Sequence, residues 1–235
     1  MQLLGLSKPS IDPHNPMPAH FSGVPLPEAE YVVLLLHGRG ATAESIEPLA
    51  HHLGLPDQTA VICPQAANNT WYPLSFMAPR NDNEPFLTSA LLVIQRFISE
   101  ALEHGVTPQR IILAGFSQGA CLASEASARL AQPFGGLLGF SGGVIGQEID
   151  KALEREDTPL AEMPVFLGCS DIDLHIPEER VHKTANLLQT LGADVDCRIY
   201  PGMGHTINSD ELDAASQLIK QQWGVNEDTN TNSND

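Results

Sequence analysis

From Tyr31 onward the chain alternates short apolar runs of β-forming residues with longer stretches of helical spacing, and that alternation restricts the architectures open to it. A run that is apolar at nearly every position, such as Tyr31–Leu36, has to be buried on both faces. A parallel sheet covered by helices provides that burial. The pattern predicts strands at Tyr31–Leu36, Ala60–Cys63, Arg110–Ala114, Gly135–Phe140, Pro164–Cys169 and Val195–Tyr200. It predicts helices at Ala43–Leu53, Leu87–His104, Ser117–Leu130, Glu178–Leu191 and Ser209–Trp223. Asn208, with Glu211 three residues on, reads as a capping box opening the last helix. The expected fold is α/β, a mainly parallel central sheet with helices on both faces.

A chain of 235 residues suits one such domain and is short for two. Residues 1–30 carry Pro13, Pro16, Pro18, Pro25 and Pro27, which excludes a long helix and predicts an extended segment packed on the domain. The domain itself is expected over 31–225, followed by a polar, disordered tail over 226–235. The net charge of −17, from 29 acidic and 12 basic side chains, opposes binding to phosphodiester backbones and anionic headgroups. Nucleic acid is therefore not an expected partner. No run approaches the roughly 18 apolar residues of a membrane span, so membrane insertion is not expected. The N-terminus lacks the basic start and apolar stretch of a signal peptide, and the expected address is the cytoplasm. Cys63, Cys121, Cys169 and Cys197 are scattered singly, which predicts reduced thiols, three of them acting as small apolar side chains within apolar segments.

The sharpest chemical signal is Gly115-Phe116-Ser117-Gln118-Gly119, a G-x-S-x-G pattern directly after an apolar strand and before a helix. A serine hydroxyl is a weak nucleophile until it is held beside a base, and a tight strand-to-helix turn achieves this by lifting the oxygen above the sheet. A second glycine-rich stretch, His37-Gly38-Arg39-Gly40, follows the first apolar strand. It stands where a backbone donor for a developing oxyanion is needed, and the two donors are assigned to the amides of Arg39 and Gln118. His37 is read as a buried histidine that holds its loop, while for Arg39 a plain solvated loop charge is the alternative to the oxyanion role. The base is His205, in Pro201-Gly202-Met203-Gly204-His205 between the last strand and the last helix. The acid should lie after the strand Pro164–Cys169, where both Asp171 and Asp173 stand.

The alternation of Asp171, Asp173 and His175 also admits a metal site, but nothing elsewhere in the sequence completes one. No metal and no organic cofactor is expected. Residues 68–85 form a long connection holding Trp71, Tyr72, Phe76 and Met77 among prolines, and these four are expected to wall a substrate pocket.

Four stretches in order, LLLHGRGA at 34–41, GFSQGA at 115–120, D-x-H-I-P at 173–177 and YPGMGH at 200–205, resemble the phospholipase/carboxylesterase family of α/β-hydrolases, over about Tyr31 to Trp223. The wording of HGRGA and D-x-H-I-P is nearer the bacterial carboxylesterases than the eukaryotic acyl-protein thioesterases. The resemblance implies an α/β-hydrolase fold and a triad of Ser117, Asp173 and His205, with the Arg39 and Gln118 amides as oxyanion hole. It favours Asp173 over Asp171, since the family's acid stands four residues before a proline and Asp173 stands four before Pro177. It further implies a broad serine hydrolase of carboxylic esters, with thioesters included; 235 residues leave no room for a separate lid domain, so short to medium acyl chains are expected. Lactone hydrolysis, or another triad chemistry on the same scaffold, stays open. A silent binding protein would be expected to lack one of the three side chains. The expected partner is a small-molecule ester, and a homodimer also stays open.

Overall fold

The computed structural model describes residues 9–155 and 157–224. The expected tail over 226–235 therefore lies outside the described residues. Seven strands form one sheet: β1 (Ala19–Gly23), β2 (Tyr31–Leu36), β3 (Thr59–Pro64), β4 (Ile111–Phe116), β5 (Gly136–Phe140), β6 (Pro164–Ser170) and β7 (Asp194–Tyr200). Their spatial order is β1-β3-β2-β4-β5-β6-β7, with β1 antiparallel to β3 and all other pairs parallel. From β2 the chain goes to β3 on one side and then crosses to β4 on the other, so a crevice opens at the carboxyl ends of β2 and β4.

The helices are α1 (Ala43–Ile46), α2 (Phe86–Glu103), α3 (Gln118–Leu130), α4 (Glu178–Thr190) and α5 (Ser209–Trp223). Strand side chains alternate between two cores. Val32, Leu34 and Leu36 pack with residues of α2, α3 and α4. Val33 and Leu35 face α1 and α5 through Ala43, Ile46, Ala215 and Ile219. This is the two-faced burial that the continuous apolar strands require. No helix among the described residues is long and apolar enough to cross a membrane.

Two expectations need correction. The helix expected over Ala43–Leu53 stops at Ile46 and continues as a 3₁₀ turn over Glu47–His52. Pro48 accounts for this, because it has no N–H to donate and its ring collides with the preceding turn of an α-helix. The segment 1–30 does not merely lie over the domain. Ala19–Gly23 is a strand of the sheet, paired with β3 from Ala19↔Pro64 to Gly23↔Ala60. Its sequence AHFSG, with Phe21 56% exposed, has none of the apolar density that identifies the inner strands.

The thiols of Cys63, Cys121 and Cys169 are buried, and that burial pushes each of them up to about 12. Such thiols are inert and serve as packing.

The capping box of α5 forms as its spacing requires. Asn208 Oδ1 accepts the Glu211 N–H and Glu211 Oε2 accepts the Asn208 N–H, both at 2.9 Å. Glu211 is fully buried, its Oε1 has no partner, and it lies over the Cα of Gly168 on β6. Burial raises its carboxyl from the ordinary 4.5 to about 7. A raised carboxyl favours the folded state at low pH, and that contribution is lost as pH rises through 7. In Glu211→Gln the acceptor for Asn208 remains and the buried charge is gone. The thermal stability of this variant relative to the parent should grow as pH is raised from 4.5 to 7 and level off above. A difference in Tm that stays constant over that range would contradict the account.

Candidate active site

The turn between β4 and α3 holds Ser117 at φ 57°, ψ −120°, a conformation that side-chain-bearing residues rarely adopt. Its N–H is fastened to the Phe140 carbonyl at 2.9 Å. Gly115 and Gly119 make the turn sterically feasible. A Cβ on Gly115 would meet the backbone of Gly119, and one on Gly119 would run into the Leu36 carbonyl. A Cβ on Gly38 would sit 3.4 Å from the Ser117 Cβ, so the loop after β2 also passes close to the serine.

His205 reaches the serine from the loop between β7 and α5, with Nε2 2.9 Å from Ser117 Oγ. Its other nitrogen, Nδ1, lies 2.6 Å from Asp173 Oδ2. The ring packs between Phe116 and His175, each with its centroid 4.8 Å away. Asp173 comes from the loop after β6, and its side chain is wholly buried. Burial alone would raise its carboxyl. The hydrogen bond to His205 and the amides of His175 and Ile176, at 2.8 and 3.0 Å on Oδ1, outweigh it and hold the group below its ordinary value. Asp171 is exposed and accepts the Gly202 N–H at 2.7 Å, tying the two loops together, while Ser170 Oγ accepts the Gly204 N–H at 3.0 Å. The structure thus brings Asp173 to His205 and leaves Asp171 in a bracing position. Among the described residues no group of three or more His, Cys, Asp or Glu side chains converges as a metal site would need.

Gln118 opens α3, and its amide is one that the helix itself leaves without an acceptor. Its side chain has a second task that the sequence did not signal. Oε1 accepts the Trp71 N–H at 2.9 Å, and Nε2 donates to the Tyr72 carbonyl at 2.9 Å. The Arg39 side chain is likewise engaged, its guanidinium donating to the carbonyls of Tyr72, Pro73 and Leu74 at 2.6 to 2.9 Å. His37 is buried, as read. Its Nδ1–H donates to the Gly38 carbonyl at 2.8 Å, and its Nε2 accepts the Ala66 N–H at 3.1 Å.

A cleft of about 590 Å³ opens over Ser117 and His205. Of the four expected wall residues, Tyr72 and Phe76 line it, together with Leu74, Cys121 and Ile176. Trp71 and Met77 do not. Trp71 is fully buried beneath the loop, its indole N–H donating to the His37 carbonyl at 2.9 Å, so it supports the wall from behind. Met77 is 36% exposed, beyond the cleft, after the chain has passed Phe76.

A model of the phospholipase/carboxylesterase family matches residues 24–223. A solved phospholipase/carboxylesterase from Dyadobacter fermentans is 41% identical, with a TM-score of 0.82 over 86% of this chain and 96% of that one. Esterase PE8 is 28% identical, with a TM-score of 0.73 over 87% and 98% of the two chains. Acyl-protein thioesterase 1 of Saccharomyces cerevisiae is 27% identical over 215 residues, covering 82% of this chain and 93% of that protein. The match to acyl-protein thioesterase 1 of Gibberella zeae, 29% identical, spans 61% of each protein. With the family model matching residues 24–223, and a bacterial enzyme more similar than these thioesterases, the chain belongs to the phospholipase/carboxylesterase family of α/β-hydrolases.

Proposed function

We propose that the protein hydrolyses carboxylic esters, and thioesters by the same route, of short to medium acyl chains through a Ser117–His205–Asp173 triad. The observation that carries this reading is the unbroken hydrogen-bond line from Ser117 Oγ through both ring nitrogens of His205 to a buried, ionised Asp173. Ser117 Oγ attacks the acyl carbon while its proton passes to His205 Nε2. The developing oxyanion is met by the amides of Gln118 and Arg39, and Asp173 stabilises the imidazolium. Collapse of the tetrahedral adduct expels the alcohol or thiol, which takes the proton from Nε2. A water then repeats the sequence on the acyl-enzyme and releases the acid. No carboxylate stands among the cleft-lining residues to oppose the growing negative charge.

Phe76 and Tyr72 bound the space left for the acyl group. Rates on p-nitrophenyl esters and on acyl thioesters of increasing length test the reading, together with labelling by a fluorophosphonate. Short and medium chains should be preferred, without activation at an oil–water interface. Phe76→Ala should move the optimum toward longer chains, since removing a phenyl from the wall lengthens the cavity. A preference for long-chain triglyceride emulsions, or an unchanged profile in Phe76→Ala, would count against the assignment of this cleft.

A further inference from the structure

We infer that His14, from the proline-rich N-terminal segment, is a positioning residue for the oxyanion side of the catalytic centre. This rests on the reading of Ser117 as nucleophile. His14 is fully buried, with its ring against Trp71 and Phe86 at centroid distances of 5.6 and 5.9 Å. Its Nδ1 accepts the Ala67 N–H and its Nε2–H donates to the Trp71 carbonyl, both at 3.0 Å. These two bonds require one neutral tautomer, and burial, which holds the imidazole below its ordinary value, favours that neutral form. The backbone that carries the ring is also fastened, because the main-chain N–H of His14 donates to Ser89 Oγ, whose hydroxyl donates to Asp12.

His37 repeats the arrangement at the neighbouring amide. It accepts the N–H of Ala66, the neighbouring amide, and its ring lies 5.0 Å from the indole. Two histidines 23 positions apart in sequence therefore grip consecutive amides of one loop, each with its ring near Trp71.

That loop bonds to both arms of the oxyanion site. The Trp71 N–H binds the side chain of Gln118, next to Ser117. The Trp71 indole binds the His37 carbonyl, and the Gly40 N–H binds the Asn69 carbonyl at 2.7 Å, on either side of Arg39. Displacing residues 66–71 moves the two donors relative to the serine. The cleft wall also has fastenings that do not pass through residues 66–71, by Arg39 to the carbonyls of 72–74 and by Asn83 to Leu74 and Ser75. Loss of His14 should therefore weaken transition-state stabilisation more than substrate binding.

The test uses the full chain with His14→Ala and with the milder His14→Gln, which can keep one of the two hydrogen bonds. Active sites are counted by fluorophosphonate titration, so that partly unfolded protein does not enter the rate. On an alkyl ester, which free imidazole does not cleave, kcat per titrated site should fall by about ten- to a hundredfold in His14→Ala, the scale of a misplaced catalytic group. KM should stay within about twofold, and affinity for a trifluoromethyl ketone, which forms the tetrahedral adduct, should fall in step with kcat. Added imidazole should restore part of the rate in His14→Ala, and His14→Gln should lie between. A per-site kcat within about twofold of the parent in whichever variant folds overturns the proposal, as does a rise in KM at constant kcat. A parent chain that never labels overturns the Ser117 reading itself, and this inference with it.

Discussion

Ser117→Ala should yield a folded protein whose ester hydrolysis is slower by about 10⁶-fold in kcat, the loss seen when a triad serine is removed. The hydroxyl's partner is His205 Nε2, and the N–H bond to Phe140 that fixes the turn belongs to the backbone, so folding loses little. Ser117→Gly should be equally inactive and the more stable of the two. Alanine keeps a Cβ in a backbone conformation that costs about 1–3 kcal/mol for non-glycine residues, and glycine does not. Initial rates and melting temperatures of the two variants, measured side by side, check both statements. A tenth of the parent rate in either purified variant would remove Ser117 from the mechanism.

Asp173→Asn should lower kcat by about 10⁴-fold with folding nearly unchanged, through the tautomer of His205. The asparagine Oδ1 can still accept the amides of His175 and Ile176, which turns its NH₂ toward His205 Nδ1. That nitrogen must then accept, the proton moves to Nε2, and Nε2 donates to Ser117 Oγ where it should take the proton from it. Asp171→Asn keeps the oxygen that accepts the Gly202 N–H, and its rate should stay within about tenfold of the parent. The decisive comparison is the order of the two variants on one ester. A larger loss at Asp171 would reverse the assignment.

The parts of the fold that were legible in the sequence are those specified by contiguous residues. The inner strands are apolar on both faces, the elbow needs two glycines around one serine, and the α5 cap is a pair three residues apart. The parts that were not legible depend on partners far along the chain. β1 is a strand because an unpaired edge of β3 accepts it, and nothing in AHFSG announces that edge. Trp71 reads as a loop aromatic until His14 and His37, 57 and 34 residues away, are seen to lie near it. The side-chain duties of Arg39 and Gln118 are similar. Both positions were picked out for their amides, and their bonds to residues 70–74 span more than thirty positions of chain. Pro48 is the local signal that ends α1, and the helical spacing of the apolar residues around it masks that signal.

The clamps on the cleft wall grip main chain. Arg39, Gln118 and Asn83 hold carbonyls and amides of residues 71–75, and the Phe76 carbonyl takes the Gly146 N–H. Main-chain groups are the same whatever side chain a position carries, so the frame does not depend on what Tyr72, Leu74 and Phe76 present to the substrate. Exchange at Leu74, which is 47% exposed, or at Tyr72 and Phe76 by side chains that refill their places in the core, should reshape the cavity while the main-chain bonds beneath it stay. The segment is a cassette whose lining can drift under selection, or be redesigned, without disturbing the serine and histidine beside it.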